Sequence, residues 1–234
     1  MEDLTLKLKK ALVDKGASLV GFADLRELPK EQRNAMDYGI SIAVALNPAI
    51  ISNIEAGPTK EYYEEYKRLN EQLDDLVKYA GELLNSFGYE AILKTTTEVV
   101  IEPNSNRTIL PHKTVATRAG LGWIGKCALL ITKEFGSGIR ISSVLTNAPL
   151  KVGTPINESN CGSCCNCKLY CPGNAPSGDN WNVNKERDTF FNAYECRKTA
   201  REKASAIGID HTICGKCIVV CPWTKKYLKT AGLK

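Results

Sequence analysis

Residues 161–172 read CGSCCNCKLYCP, and the spacing of the cysteines in this stretch determines how the C-terminal part of the chain can fold. Cys161, Cys164, Cys167 and Cys171 follow the pattern C-x2-C-x2-C-x3-C-P. In bacterial two-cluster ferredoxins this pattern gives three thiolates to one [4Fe-4S] cluster and the fourth to a neighbouring cluster. The spacing therefore predicts a ferredoxin-like segment that holds two clusters.

A second half-motif, CGKCIVVCP at residues 214–222, has the same Cys-Pro ending but lacks an upstream cysteine, because His211 stands where a simple ferredoxin has one. The missing ligand is either His211 or Cys196, which lies on a helix predicted over 192–204. Low-potential clusters usually take four thiolates and histidine ligation raises the potential, which favours Cys196. With Cys196 as the fourth ligand, the first cluster is held by Cys161, Cys164, Cys167 and Cys221, and the second by Cys171, Cys196, Cys214 and Cys217.

Two other uses of ten cysteines have to be compared with clusters. Disulfides are typical of secreted chains, and Met1-Glu2-Asp3 does not begin a signal peptide. Zinc could bind the two C-x2-C pairs, but it leaves the 2-2-3 spacing and both Cys-Pro endings unexplained. Clusters are the favoured interpretation, with Cys127 and Cys165 as structural or incidental thiols.

The cysteines are concentrated in one part of the chain, since nine of them fall between Cys161 and Cys221. We therefore predict an α+β protein with a mixed α/β sheet domain at 1–152 and a double-cluster ferredoxin-like domain at 153–234. The longest apolar runs are too short to cross a bilayer, so we expect no membrane span and a cytoplasmic location.

Apolar periodicity and turn residues predict alternating helices and strands before the cysteine-rich part. The predicted helices cover 4–15, a long segment that begins at about Lys60 after the N-cap Thr59 and ends at Gly88, and 113–118. The predicted strands cover 18–23, 40–46, 90–94, 97–101, 128–131 and 139–145, the last two around a glycine turn at 136–138.

The segment GLGWIGK, residues 120–126, satisfies G-x-G-x-x-G and nearly completes a phosphate-binding loop. Such loops follow a strand and begin a helix, whereas here a predicted helix precedes the glycines and a predicted strand follows them. Cys127 also replaces the hydroxyl that binds magnesium. The pattern therefore favours a tight glycine loop that packs Trp123 into the core over a nucleotide site.

Residues 117–126, TRAGLGWIGK, followed by ALLI at 128–131, resemble the R-A-G-L-G-W-I-G-K segment of epoxyqueuosine reductases. The order of the later motifs is similar too: a CxxCxxCxxxCP motif, then an isolated cysteine, here Cys196, then CxxCxxxCPW, which ends at Trp223. The resemblance covers roughly residues 90–225 and supports the interleaved ligand sets, including Cys196.

The resemblance implies an N-terminal domain that binds cobalamin over a mixed sheet, beside clusters that feed electrons to the cobalt, as in the related reductive dehalogenases. It also implies an external low-potential electron donor. Cubane clusters lie within the potential range of this task. The residues that would form the cobalamin-facing loop are Arg118, Gly120, Gly122, Trp123, Gly125 and Lys126.

The chain departs from the family at the proton donor. Epoxyqueuosine reductases place an aspartate shortly before the glycine segment, and this chain has no aspartate between Asp75 and Asp179. His112 and Glu102 are the candidate general acids, and histidine has the intrinsic pKa better suited to neutral pH. The alternative is that His112 only packs in the core or binds a backbone carbonyl.

Larger members of the family continue with helical repeats that help to hold tRNA, and these are not part of this sequence. A small molecule or a modified nucleoside is therefore the expected substrate, with tRNA in doubt. Two functions stay open: a cobalamin-dependent reductase, or an electron-transfer protein that serves a partner enzyme. The first is favoured, because two-cluster ferredoxins do without an N-terminal domain of this size.

Overall fold

The computed structural model describes residues 3–96 and 105–233. The predicted strand at 97–101 lies outside the described residues. The helices are α1 (Leu4–Asp14), α2 (Pro48–Ser52), α3 (Lys60–Ser86), α4 (His112–Arg118), α5 (Asn166–Leu169), α6 (Ala193–Ser205), α7 (Lys216–Val219) and α8 (Pro222–Thr230). The strands are β1 (Leu19–Asp24), β2 (Tyr38–Ala45), β3 (Ala91–Lys94), β4 (Trp123–Ile124), β5 (Leu130–Ile131) and β6 (Ile139–Thr146).

Four strands form one sheet in the order β1-β2-β6-β3. Strands β1 and β2 pair in antiparallel register with Leu19 opposite Ala43, and β3 and β6 pair in antiparallel register with Ala91 opposite Thr146. The α+β class predicted from the sequence is confirmed. The ferredoxin-like arrangement of the C-terminal part stays a prediction.

The strands predicted on either side of the glycine turn at 136–138 do not pair with each other. Strand β5 instead pairs with β4, a two-residue strand that the sequence did not indicate, with Trp123 opposite Ile131. Strand β6 joins the four-stranded sheet. A pairing between short strands depends on tertiary packing rather than on local pattern, which explains the difference.

The chain divides into two compact units, each built from separate segments. The first comprises Met1–Val44, Leu69–Gly122 and Arg140–Ile156, and the second comprises Ala45–Arg68, Trp123–Ile139 and Asn157–Lys234. The predicted domain boundary between residues 152 and 153 stays a prediction.

In the first unit, α1 and α4 pack against β1. Asp3 caps α1, because its carboxylate accepts a hydrogen bond from the Thr5 backbone N–H at 2.9 Å. Leu8 and Leu12 are fully buried on one face of this helix. The apolar periodicity that predicted the helix therefore also positions it, and the structure adds the Asp3 cap.

The N-cap predicted for the long helix α3 is confirmed, since Thr59 Oγ1 accepts a hydrogen bond from the Tyr62 N–H at 3.1 Å. The helix ends at Ser86, and Gly88 follows with φ at +82°, a left-handed conformation that glycine adopts without strain.

The second unit contains little regular structure around its cysteines. Between residues 157 and 192 the only helices are α5 and a 3-10 turn at Arg187–Thr189. The buried residues in this stretch are Ala175, Pro176, Trp181 and Phe190. Apolar burial alone gives such a segment little stability. None of the described helices is long and apolar enough to cross a lipid bilayer.

Candidate metal centre

Six cysteines line one cavity of about 190 Å³ in the second unit: Cys127, Cys161, Cys164, Cys167, Cys217 and Cys221. Four of them, Cys161, Cys164, Cys167 and Cys221, are those that the sequence assigned to the first cluster. They include Cys221, which lies 50 or more positions along the chain from the other three. The two cysteine motifs therefore meet around a shared space.

Local contacts explain how the two motifs come together. The Asn166 side chain, at the start of α5, donates a hydrogen bond from Nδ2 to the Val220 carbonyl at 3.2 Å, next to Cys221. Cys221 is the N-cap residue of α8, and Pro222 occupies the first helical turn, where its missing N–H costs nothing. The Cys-Pro ending thus sets both where α8 begins and where the thiol lies.

A second group of thiols comprises Cys171, Cys196 and Cys214. Burial first, and then the neighbouring thiols of Cys171 and Cys214, raise the pKa of Cys196 to about 11. The Cys171 sulfur accepts a hydrogen bond from the Ala175 N–H at 3.4 Å. Three of the four cysteines predicted for the second cluster are therefore neighbours.

Gly173 allows Cys171 to approach α6, the helix that carries Cys196. A Cβ at position 173 would lie 2.5 Å from Thr199 Oγ1 and 3.0 Å from the Glu195 carbonyl oxygen. Asn192 caps α6 by accepting hydrogen bonds from the backbone N–H groups of Tyr194 and Glu195.

Cys217, the fourth cysteine predicted for the second cluster, lines the first cavity. Its thiol hydrogen-bonds with that of the buried Cys127, which in turn hydrogen-bonds with Cys167. Cys127, interpreted from the sequence as a structural or incidental thiol, therefore contacts one predicted ligand of each cluster. In the sequence, the only indication of this contact was the position of Cys127 directly after the glycine segment.

His211, the alternative ligand, packs against two tyrosines of α3. Its ring centroid lies 5.5 Å from that of Tyr63 and 5.2 Å from that of Tyr66. Its Nδ1 is buried and has no hydrogen-bond partner among the described residues. These contacts are those of an aromatic core residue.

All ten cysteines lie within the described residues and are thiols rather than disulfides. Among the described residues, no three side chains of His, Cys, Asp or Glu are close enough together to hold a single metal ion. A zinc ion requires its ligand atoms within ~2.3 Å of one point, whereas a [4Fe-4S] cubane is larger and its ligands stand around a cavity. The first cavity fits a cubane in the kind of its donors, since the four thiols predicted to hold the first cluster all line it.

Besides its thiols, this cavity has two polar lining residues, Lys126 and Asn166, and apolar walls. Ile131 and Trp223 line it together with Lys126, which is buried and whose Nζ lies 3.8 Å from Cys165 Sγ. Burial raises the pKa of Cys221, and the hydrogen bond that the Cys167 thiol donates to Cys127, together with burial, raises the pKa of Cys167. Because ligand thiols must lose their protons to bind iron, a nearby ammonium group favours the ligating form.

The six residues predicted to face cobalamin are buried or pack against the protein itself. Arg118 donates from Nη1 to Glu27 Oε1 at 2.7 Å and from Nη2 to the Ile156 carbonyl at 2.8 Å. Gly120 has φ at +73°, and a Cβ there would lie 2.6 Å from the Thr154 carbonyl oxygen. Because Gly120 has no side chain, its backbone can pack closely against that of Thr154.

The other members of the glycine segment are also enclosed. Trp123 is fully buried and its ring makes an edge contact with Trp223 at 5.0 Å between centroids, while Gly122 is buried. A Cβ on Gly125 would lie 2.3 Å from Ile131 Cδ1. Of the six residues, only Gly120 is half-buried, and the other five are buried. The cobalamin role of the segment stays a prediction.

His112, the candidate general acid, lines a cavity of about 270 Å³ in the first unit together with Lys94, Asn34 and Leu110. Its Nδ1 lies 2.8 Å from Ser143 Oγ. Burial, followed by the charges of Arg140 and Lys94, lowers its pKa to about 4. The imidazole is therefore neutral at pH 7. Glu102, the other candidate, lies outside the described residues.

Comparison with known proteins gives one consistent group of relatives, although no family model matches the chain. The chain is 30% identical over 167 residues to the epoxyqueuosine reductase of Lactococcus garvieae (strain Lg2), covering 71% of this chain and 42% of the relative. It is 31% identical over 188 residues to that of Atelocyanobacterium thalassa (isolate ALOHA), covering 78% and 56%. The chain spans about half the length of these curated relatives.

Solved structures of two kinds share the fold. An epoxyqueuosine reductase bound to an epoxyqueuosine-modified tRNA-Tyr stem loop gives a TM-score of 0.61 at 23% identity, covering 95% of this chain and 65% of that one. A reductive dehalogenase described as carrying out B12-dependent dehalogenation gives a TM-score of 0.68 at 16% identity, covering 95% and 33%. At these identities the likeness concerns the fold alone.

Proposed function

The chain is epoxyqueuosine reductase-like, and on that basis we propose that it is an iron-sulfur oxidoreductase that moves low-potential electrons through two [4Fe-4S] clusters. The observation that carries the proposal is the cavity shared by Cys161, Cys164, Cys167 and Cys221. An interleaved pair of clusters requires the last cysteine of the second motif to join the first three of the first motif. A zinc site made from the two C-x2-C pairs would use Cys214, which does not line the cavity, and would leave out Cys161 and Cys221, which do.

When bound, the clusters would supply one-electron transfer at low potential. The protein's own residues would hold them, exclude water and set the local charge. Trp223 and Ile131 form apolar walls, which limit solvent access to the thiols. The buried ammonium of Lys126 favours added negative charge at this site and so raises the reduction potential of the first cluster.

Cobalamin is the proposed acceptor of these electrons, on the strength of the family and of the B12-dependent dehalogenase that shares the fold. The buried glycine segment would then support the wall of such a site rather than contact the ligand. The proposed substrate is a modified nucleoside or another small molecule. The relative solved with a tRNA stem loop makes tRNA a candidate that has to be tested.

The second candidate function is an electron-transfer protein that serves a partner enzyme. The observation that favours it is the burial of five of the six residues predicted to face cobalamin, all except the half-buried Gly120. In this case the first unit would serve recognition of the partner enzyme.

Anaerobic reconstitution with iron and sulfide, followed by titration with cob(II)alamin, tests both candidates. We expect eight irons per chain and a change in the cobalt EPR spectrum when protein is added. An unchanged cobalt spectrum with eight irons present would favour the electron-transfer protein. A failure to bind more than a single metal ion per chain would refute the cluster proposal altogether.

The ligand sets are tested by two variants. We expect Cys196→Ser to lose the second cluster and keep about four irons of the first, because a cubane normally needs four good ligands. His211→Ala is the control and should retain eight irons, since His211 packs against Tyr63 and Tyr66. Retention of eight irons by Cys196→Ser, with loss in His211→Ala, would assign the fourth ligand to the histidine.

A further inference from the structure

One part of the second unit exposes large apolar side chains directly beside the second group of cysteines. Leu169 is 74% exposed and Tyr170 is 56% exposed, and both immediately precede Cys171. Leu169 and Tyr170 stand at the end of the four-residue helix α5. Isolated exposed apolar residues are common on protein surfaces, but a neighbouring pair beside a predicted redox centre indicates a site where a partner protein binds.

Positive charge lies next to this apolar pair. Tyr170 and Pro172 line a shallow depression of about 80 Å³ together with Cys214, Lys203 and Lys216. The Lys216 Nζ lies 5.6 Å from the centroid of the Tyr170 ring. No acidic residue lines the depression among the described parts of the chain. We name Leu169, Tyr170, Pro172, Lys203 and Lys216 the Tyr170 surface.

The depression reaches a predicted cluster ligand. Cys214 lines it, and the charges of Lys203 and Lys216 both act on this thiol. Cys214 is in turn a neighbour of Cys171 and Cys196. An electron that arrives at the Tyr170 surface would therefore need to cross little protein to reach the second group of cysteines.

We propose that the Tyr170 surface is the docking site for an acidic, low-potential electron-carrier protein of the flavodoxin or ferredoxin class. This inference rests on the proposed function. An apolar centre with a basic rim complements a carrier whose own redox centre is surrounded by carboxylates. The net charge of +5 on this chain also attracts an acidic carrier. Electron-transfer complexes bury small interfaces and depend on such steering, so the modest size of the surface fits a transient partner.

The redox step balances without a further reactant. The carrier loses one electron, and the cluster held through Cys171 and Cys214 gains that electron. RNA is the other polyanion that two lysines could attract. The exposed Leu169 and Tyr170 and the contact with Cys214 favour a redox protein.

The test uses the reconstituted chain and an acidic bacterial flavodoxin reduced to its hydroquinone. Stopped-flow absorbance gives the second-order rate constant of cluster reduction, and NMR of labelled flavodoxin gives binding independently of the clusters. We expect Lys203→Glu to lower the rate constant about tenfold or more at low salt, with the difference shrinking at high salt. Chemical-shift changes in flavodoxin should weaken in parallel.

Lys229→Glu is the matched control, because Lys229 is an exposed lysine of the same unit on the last turn of α8 and does not line the depression. This variant should have nearly the same rate constant of cluster reduction and the same flavodoxin binding as the parent protein. Reduction by methyl viologen radical, a small cation, should not be slowed by Lys203→Glu.

Three outcomes would overturn the inference. Lys203→Glu could leave the rate constant and flavodoxin binding unchanged, or Lys229→Glu could lower both by as much as Lys203→Glu does. Alternatively, Lys203→Glu could abolish binding of a tRNA stem loop while flavodoxin binding persists. Failure of the cluster proposal is distinguishable, because it would appear as missing iron in the parent protein. The NMR arm would still decide whether flavodoxin uses the Tyr170 surface.

Discussion

At the scale of single residues, His112 shows how burial changes what a side chain can do. Free histidine titrates near pH 6.5, which made His112 an attractive acid in the sequence. In the structure, desolvation comes first and the positive charges of Arg140 and Lys94 second, and together they lower its pKa to about 4. A proton donor that is already neutral at pH 7 can give up a proton only as an imidazole N–H, which is a very weak acid.

We therefore expect His112 to stay neutral over the whole range from pH 5.5 to 8.5. Because the pKa of His112 is lowered, its ring becomes protonated only as the pH falls towards about 4. The chain has only two histidines, so NMR of a histidine-labelled sample should show one ring that does not titrate, assigned by its loss in His112→Gln. A titration midpoint near 6.5 for His112 would contradict the buried, cation-flanked environment.

At the scale of elements, the contact between the 171–174 turn and α6 determines whether the second group of cysteines can assemble. We expect Gly173→Ala to lower the iron content by about half, because the new Cβ meets Thr199 Oγ1 and the Glu195 carbonyl. Overpacking of this kind costs ~1–3 kcal/mol, and the turn that carries Cys171 would be pushed away from Cys196.

A second variant separates this local clash from general misfolding. Thr199→Ala removes the closer of the two contacts, so the double variant Gly173→Ala with Thr199→Ala should recover part of the lost iron, as measured by iron and sulfide analysis. If Gly173→Ala alone retains eight irons, the 171–174 turn can shift to accommodate the new Cβ without losing the cluster, and Gly173 does not position Cys171.

Elements with local signals could be predicted from the sequence, whereas contacts between distant segments could not. Helix α1 followed from the spacing of its apolar residues, and α3 followed from the cap Thr59 and the same spacing, because caps and periodicity act over a few positions. Motif spacing predicted Cys161, Cys164, Cys167 and Cys221 as one ligand set, which stays a prediction, and it did not indicate that Cys127 and Cys217 line the same cavity. The pairing of β4 with β5 and the burial of Arg118 against Glu27, 91 positions away, depend on tertiary packing that no local pattern encodes.

At the scale of the whole molecule, the two units differ in what holds them together. The first unit buries its sheet under α1 and α4, and its core includes Leu8, Leu12 and Leu25. The stretch from 157 to 192 in the second unit buries few residues and contains almost no helix. If clusters are bound there, their binding free energy is also folding free energy for that stretch.

Removal of iron by a chelator under anaerobic, oxidising conditions should therefore loosen residues 157–192 and leave β1, β2 and α1 protected. We expect amide hydrogen exchange in that stretch to speed up by about 100-fold, equivalent to ~2.7 kcal/mol, while exchange in the first unit stays within a few-fold of the holoprotein. Mass spectrometry of peptides from both units measures the two together, so that the first unit is the internal control. Unchanged protection of 157–192 after complete loss of iron would mean that this stretch is stabilised by its own side chains, and that the cysteines serve electron transfer without serving the fold.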